Sequence, residues 1–207
     1  MKWRLFPRQH PNARIDHGNF TVLDTETTGF DYHNDRILSI GLVRMRQGKI
    51  LLKESVEIFI NQGIALDKSA CIHGITQKQL ASGLQEKDAL KQFLQFIGDD
   101  ILVAHYAFFD RNMLEEALRR QGLKIPTNSW LDTMDIESTL HPVKYGSADA
   151  LRLDTLFQEY YIEAVGRHTA LGDAYSTSRL LQKQFAKLGK SGINTLNAIR
   201  PSRSGLL

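Results

Sequence analysis

The chain has 207 residues, 42% hydrophobic and 24% charged, with a formal net charge of +3. That is ordinary globular composition for one well-packed domain, with little chain left for a second. No run approaches 18 apolar residues, so no membrane-spanning helix is expected, and the single Cys71 excludes an internal disulfide and a cysteine-based zinc cluster.

In chain order, residues 1–18 are polar and irregular, hold Pro7 and Pro11, and read as an N-terminal extension. The start is basic but has no long apolar stretch, so it is not expected to be a signal peptide, and a cytoplasmic setting is the default expectation. Phe20 to Asp24 is predicted as a first strand and Gly29 to Asp35 as a loop. Arg36 to Arg46 and Ile50 to Ile60 are aliphatic strands joined through a turn at Gln47-Gly48-Lys49, giving a hairpin.

The apolar period then changes. Short helices are predicted at Asp67–His73 and Thr76–Leu80, followed by a helix over Glu86–Ile97. Ile101–Ala104 is a short strand, and Asp110–Gln121 a helix stopped by Gly122. Trp130–Thr133 is predicted as a last strand, with helices at about Asp132–Leu140, Leu153–Tyr160 and Thr169–Leu188. Strands first, then strands alternating with helices, argue for an α/β domain around one mixed sheet. The expected division is an extension at 1–18, a domain at 19–189 and a basic C-terminal tail at 190–207.

The chemistry-bearing stretch is Val22-Leu23-Asp24-Thr25-Glu26-Thr27-Thr28-Gly29. Residues i and i+2 of a strand share a face, so Asp24 and Glu26 project together. Their repulsion, about 4 kcal/mol at 4 Å and an effective dielectric of 20, calls for a divalent cation, a nearby base or a proton. Asp110 follows the strand Ile101–Ala104, and sites form at strand ends in open α/β sheets. Taken alone, Asp110 is as readily a first-turn helix acid. His168 and Asp173 are five residues apart, about 140° around a regular helix. They can converge if His168 lies on the loop entering the helix and Asp173 on its early turns, and small Ala170, Gly172 and Ala174 would let the helix approach the sheet closely. Phosphate-loop, dinucleotide-binding and nucleophile-elbow glycine motifs are missing from the sequence. After Asp173 no acid follows, but Arg179, Lys183, Lys187, Lys190, Arg200 and Arg203 do. Such basic ends suit a polyanion partner as well as plain solubility.

Three segments, Asp24-Thr25-Glu26-Thr27-Thr28-Gly29, Ala104-His105-Tyr106-Ala107-Phe108-Phe109-Asp110 and His168-Thr169-Ala170-Leu171-Gly172-Asp173-Ala174, occur in that order. The chain thereby resembles the DEDDh 3′–5′ exonucleases, most of all the branch holding the proofreading epsilon subunit of bacterial DNA polymerase III and its stand-alone relatives. His73-Gly74-Ile75-Thr76 and Leu131-Asp132-Thr133 are similar to two minor signatures of that family.

The resemblance implies an RNase H-like fold, with a central mixed five-stranded sheet flanked by helices. It also implies an enzyme, a phosphodiesterase using two divalent cations, Mg²⁺ or Mn²⁺. Asp24, Glu26, Asp110 and Asp173 fall on the family's metal-binding carboxylates and His168 on its general base. Substrate contacts are expected from Thr25, Thr28, Gly29, Ile64, Lys68, His73 and Phe109. The expected activity is removal of nucleoside 5′-monophosphates from the 3′ end of single-stranded DNA. The alternatives are an exoribonuclease trimming RNA and a non-catalytic nucleic-acid or polymerase-binding module. Tyr106 departs from the family's usual Asn, and Lys68 from the acid of the epsilon subunit. The short basic tail favours a stand-alone nuclease over a polymerase-bound proofreader.

Overall fold

The computed structural model describes residues 14–15, 17–64, 74–144 and 149–199. Strands β1 (Asn19–Thr27), β2 (Ile37–Arg46) and β3 (Lys49–Asn61) form an antiparallel meander. The short helix α1 (Gln77–Ala81) leads to β4 (Leu84–Gln85) and helix α2 (Glu86–Ile97). Strand β5 (Ile101–Ala104) feeds helix α3 (Ala107–Arg120), and β6 (Trp130–Asp132) feeds α4 (Thr133–Leu140). Helices α5 (Leu153–Glu159) and α6 (Ala170–Lys190) follow.

The sheet is mixed, in the order β4-β3-β2-β1-β5-β6. It has six strands where five are expected. The additional one, β4, is only two residues long and pairs in parallel with Ile60 and Asn61 at the end of β3. Two residues show no alternation, so no periodic signal announces it. The predicted helix at Asp67–His73 lies outside the described residues.

Both faces of the sheet are covered. On one, Leu23, Ile40, Leu42 and Leu102 pack against Ala89 and Phe93 of α2 and Met113 and Ala117 of α3. On the other, Phe20, Val22, Val43 and Val103 pack against Ala174, Leu181 and Phe185 of α6 and Ile136 of α4. The second core reaches past positions 18 and 190. Ile15, Leu196 and Ile199 are buried in it, and the Ile15 N–H donates to the Asn194 carbonyl at 3.1 Å.

Close approach of α6 to the sheet depends on Gly41. A Cβ there would lie 2.1 Å from the Ala170 carbonyl carbon and oxygen. Gly172 faces elsewhere, toward the Gly166 carbonyl, so it seats the preceding loop rather than the sheet. Gly41 pairs with Asp24 on one side and Glu57 on the other, so the first turn of α6 sits over the row that carries the first acid.

Helix α3 begins three residues before its predicted start. Tyr106 is left-handed (φ 57°), and the Asp132 carboxylate accepts the N–H groups of Tyr106 at 3.1 Å and Ala107 at 2.9 Å. A cap supplied from 25 residues away has no local sequence signal. The same carboxylate accepts the Met134 N–H at 2.9 Å as the N-cap of α4. Burial, reinforced by Asp135, pushes the Asp132 carboxyl up to about 8.

Candidate active site

Alternation along β1 turns Asp24 and Glu26 to the α6 side, in line with buried Phe20 and Val22. Asp173 comes down from the first turn of α6. Carboxylate oxygens of Asp24, Glu26 and Asp173 lie within 4.8 Å of one another. Asp110 arrives from α3, on the opposite face, and reaches the same sheet end. Its Oδ1 accepts from the Thr25 hydroxyl at 2.8 Å. Thr25 thus spends its side chain on Asp110, because the odd-numbered residues of β1 face α3.

The electrostatics follow from this crowding. Burial, then the charges of Asp110, Asp173 and Glu26, raises the Asp24 carboxyl well above the usual range. Burial and then Asp173, Glu57 and Asp110 push Glu26 up to about 7. Burial takes Asp110 to about 7 against the hydrogen bond from Thr25. Each shift favours the protonated form, and a bound cation would oppose it.

Asp173 Oδ1 is buried with no hydrogen-bond partner. A buried, unsatisfied carboxylate oxygen beside two further carboxylates is a set of hard oxygen donors, and it fits a divalent cation of the Mg²⁺ or Mn²⁺ type.

His168 stands just before the α6 N-cap, Thr169, whose hydroxyl accepts the Gly172 N–H at 3.1 Å. His168 is left-handed (φ 61°) and exposed, and its backbone N–H donates to Asp173 Oδ2 at 3.2 Å. The loop position is what lets residues five apart converge.

The remaining expected residues separate. The Thr28 hydroxyl donates to Asp35 Oδ1 at 2.7 Å and accepts the Arg36 N–H at 3.0 Å, closing the loop after β1. At Gly29 a Cβ would meet the Asp35 carboxylate at 2.5 Å, so a side chain there would have to displace the group that closes the loop. Phe109 packs on the core, with its ring 5.8 Å from Phe30. Ile64 is 40% exposed rather than core. Lys68 and His73 lie outside the described residues.

Three contributors escaped the sequence reading, and a fourth, Asp132, entered it only as part of a minor signature. Phe30 is 86% exposed beside Phe109, and as a lone aromatic after a turn it carried no pattern. Asp132 seats the start of α3. Glu57 accepts the Ala170 and Leu171 N–H groups at the α6 N-terminus and the Ser39 hydroxyl at 3.2 Å. Arg167 donates from Nη1 to Asp173 Oδ2 at 2.5 Å and from Nη2 to Asp154 Oδ1 at 2.7 Å. Its position directly before His168 was the available signal.

Clustered carboxylates at the end of the central strands of a mixed α/β sheet offer hard oxygen donors of the kind that metal-assisted hydrolysis uses. Residues 21–181 match the RNase_T family model, described as an exonuclease. The chain belongs to this exonuclease family and is a nuclease of the hydrolase class. It is 31% identical over 183 residues to the PolC-type DNA polymerase III of Caldanaerobacter subterraneus subsp. tengcongensis, covering 88% of this chain and 13% of that protein. It is also 31% identical to that of Lacticaseibacillus paracasei, covering 86% of this chain and 12% of the relative. The chain thus spans about an eighth of the length of these relatives.

Among solved structures, E. coli exonuclease I in complex with a dT13 oligonucleotide superimposes with a TM-score of 0.71 at 18% identity, over 85% of this chain and 43% of that one. Exonuclease X in complex with 5′ overhanging duplex DNA gives 0.63 at 23% identity, over 87% and 97%. These likenesses support the fold, which is RNase H-like. Among the described residues no helix is long and apolar enough to cross a membrane.

Proposed function

We propose that this chain is a metal-dependent 3′–5′ exonuclease acting on single-stranded DNA. The observation that carries the reading is the convergence of Asp24, Glu26 and Asp173 within 4.8 Å, with Asp110 alongside and the His168 loop tied to Asp173. Asp24, Glu26, Asp110 and Asp173 would hold two divalent cations, Mg²⁺ or Mn²⁺, which would supply Lewis-acid polarisation of the phosphate and activation of a water. His168 takes the proton of the attacking water on a ring nitrogen and, being exposed, passes it to solvent. Water oxygen adds to phosphorus, the bond from phosphorus to the 3′ oxygen breaks, and that oxygen is protonated. The product is a nucleoside 5′-monophosphate.

Exposed Phe30, backed by the partly buried Phe109, offers a ring face to the terminal bases, and exposed Ile64 offers an apolar edge. Thr25, Thr28 and Gly29 act on the substrate through backbone, since the two threonine hydroxyls are engaged within the protein. Lys68 and His73 are proposed as substrate contacts by resemblance alone.

Similarity to PolC-type polymerases favours a second reading, in which the same nuclease works beside a polymerase on misincorporated 3′ ends. Incubation with 5′-labelled DNA and RNA strands, in Mg²⁺, Mn²⁺ or EDTA, tests the proposal. A ladder shortening from the 3′ end of DNA, abolished by EDTA and by Asp24→Ala, is expected. Turnover that persists in EDTA would overturn it.

A further inference from the structure

Arg167 is a cation hydrogen-bonded to the acid cluster, through Asp173. Its guanidinium is held at both ends. Nε and Nη2 donate to Asp154 Oδ1 at 3.0 and 2.7 Å, and Nη1 donates to Asp173 Oδ2 at 2.5 Å. Asp154 belongs to α5 and Asp173 to α6, and the side chain passes beside the Phe157 ring at 5.9 Å. It is 25% exposed, so its charge is only partly screened. It acts against the mutual repulsion of Asp24 and Glu26 as well as on Asp173. Oδ1 of Asp173, the other oxygen, is left buried and unpartnered.

A divalent ion bound by Asp24, Glu26 and Asp173 would be attracted by the same carboxylates that now attract Arg167. We infer that Arg167 is a resident counter-cation. It holds the cluster together in the metal-free protein, competes with the divalent ion for Asp173, and retains its Asp154 anchor when Nη1 gives up Oδ2. Because Arg167 adjoins His168, whose own N–H also binds Asp173 Oδ2, the exchange occurs at the base of the catalytic loop. Arg167 is therefore a positioning residue, acting through Asp173. This inference rests on the proposal that the acids are metal ligands.

A side chain that merely stabilised the fold would lower thermal stability and metal affinity together when removed. Competition predicts opposite signs. In Arg167→Gln the metal-free protein melts at a lower temperature, while Mn²⁺ measured by calorimetry binds about tenfold more tightly, because a nearby positive charge has gone. Arg167→Lys, which keeps the charge, stays close to the wild-type affinity. Equal or weaker Mn²⁺ binding in Arg167→Gln would overturn the inference.

If that variant does not fold without metal, the wild-type protein gives the answer. With ¹⁵N-labelled arginine, the exchange-protected Nη1 signal of Arg167 should be lost as Mg²⁺ saturates the protein, while its Nε signal persists. An unchanged Nη1 signal at saturation would reject the exchange. Failure of the wild-type protein to bind Mn²⁺ or Mg²⁺ at all would instead reject the metal site itself.

Discussion

The Thr25 hydroxyl donates to Asp110 Oδ1 at 2.8 Å, joining the central strand to a helix on the opposite face from the other acids. Removing the donor leaves Asp110 buried and less satisfied, a loss of about 1 kcal/mol for one hydrogen bond. Thr25→Val, of similar shape, is expected to weaken Mg²⁺ binding roughly fivefold by that energy. Calorimetric titration checks it, and unchanged affinity would show that this bond does not orient Asp110.

Asp132 accepts three backbone N–H groups at the starts of α3 and α4. Asp132→Ala leaves those donors without a partner in a buried place. A loss of about 3 kcal/mol or more is expected in urea denaturation, at 1–3 kcal/mol per unsatisfied group. A loss below 1 kcal/mol would mean that the two helices find other caps.

Tyr106 sits at φ 57°, a region that disfavours side chains other than Asn and Asp. Tyr106→Asn is expected to raise stability by about 0.5–1 kcal/mol through relief of strain, since the N–H that binds Asp132 is retained. The comparison is the shift in urea midpoint at constant slope.

Asp24, Glu26 and Asp110 all have folded-state values raised above those of an unfolded chain. Between about pH 4 and 7 the folded protein therefore binds more protons than the unfolded one. Metal-free stability contributed by these groups is full at low pH and is lost as pH rises toward 7. His105, pushed down to about 4 chiefly by burial, works the other way, penalising the fold as pH falls below about 6.5. The difference between melting curves in EDTA and in excess Mg²⁺ cancels His105 and isolates the cluster. That difference should grow from pH 5 to pH 8, reaching roughly 5–10 °C at a hundredfold excess over Kd. A difference that does not change with pH would show that metal and protons do not share the site.

Phe30 is 86% exposed and contacts Phe109, so its truncation leaves the core intact. Phe30→Ala is expected to keep wild-type stability and raise KM for single-stranded DNA about tenfold, from a stacking contribution of about 1–3 kcal/mol. A fall in kcat with KM unchanged would place Phe30 outside the binding surface.

Much was legible in the sequence because its signals are local. The period of two in β1 aligned Asp24 with Glu26. The change to helical period separated the hairpin from the later helices. The order of three motifs marked the exonuclease family. The sequence allowed His168 to meet Asp173 from a loop entering the last long helix, and its backbone N–H reaches Asp173 from that position.

What the tertiary structure decided are relationships between distant residues, which no window of sequence contains. Gly41 mattered only once α6 was laid across it, and Asp132 only once β6 was placed beside β5. Glu57 came to serve the α6 N-terminus because strand register put it one position across from Gly41. The opening pair of acids posed a repulsion that the sequence could state but not resolve. In the folded chain raised proton affinities and the Arg167 guanidinium relieve it, and both depend on burial and on contacts made across the domain.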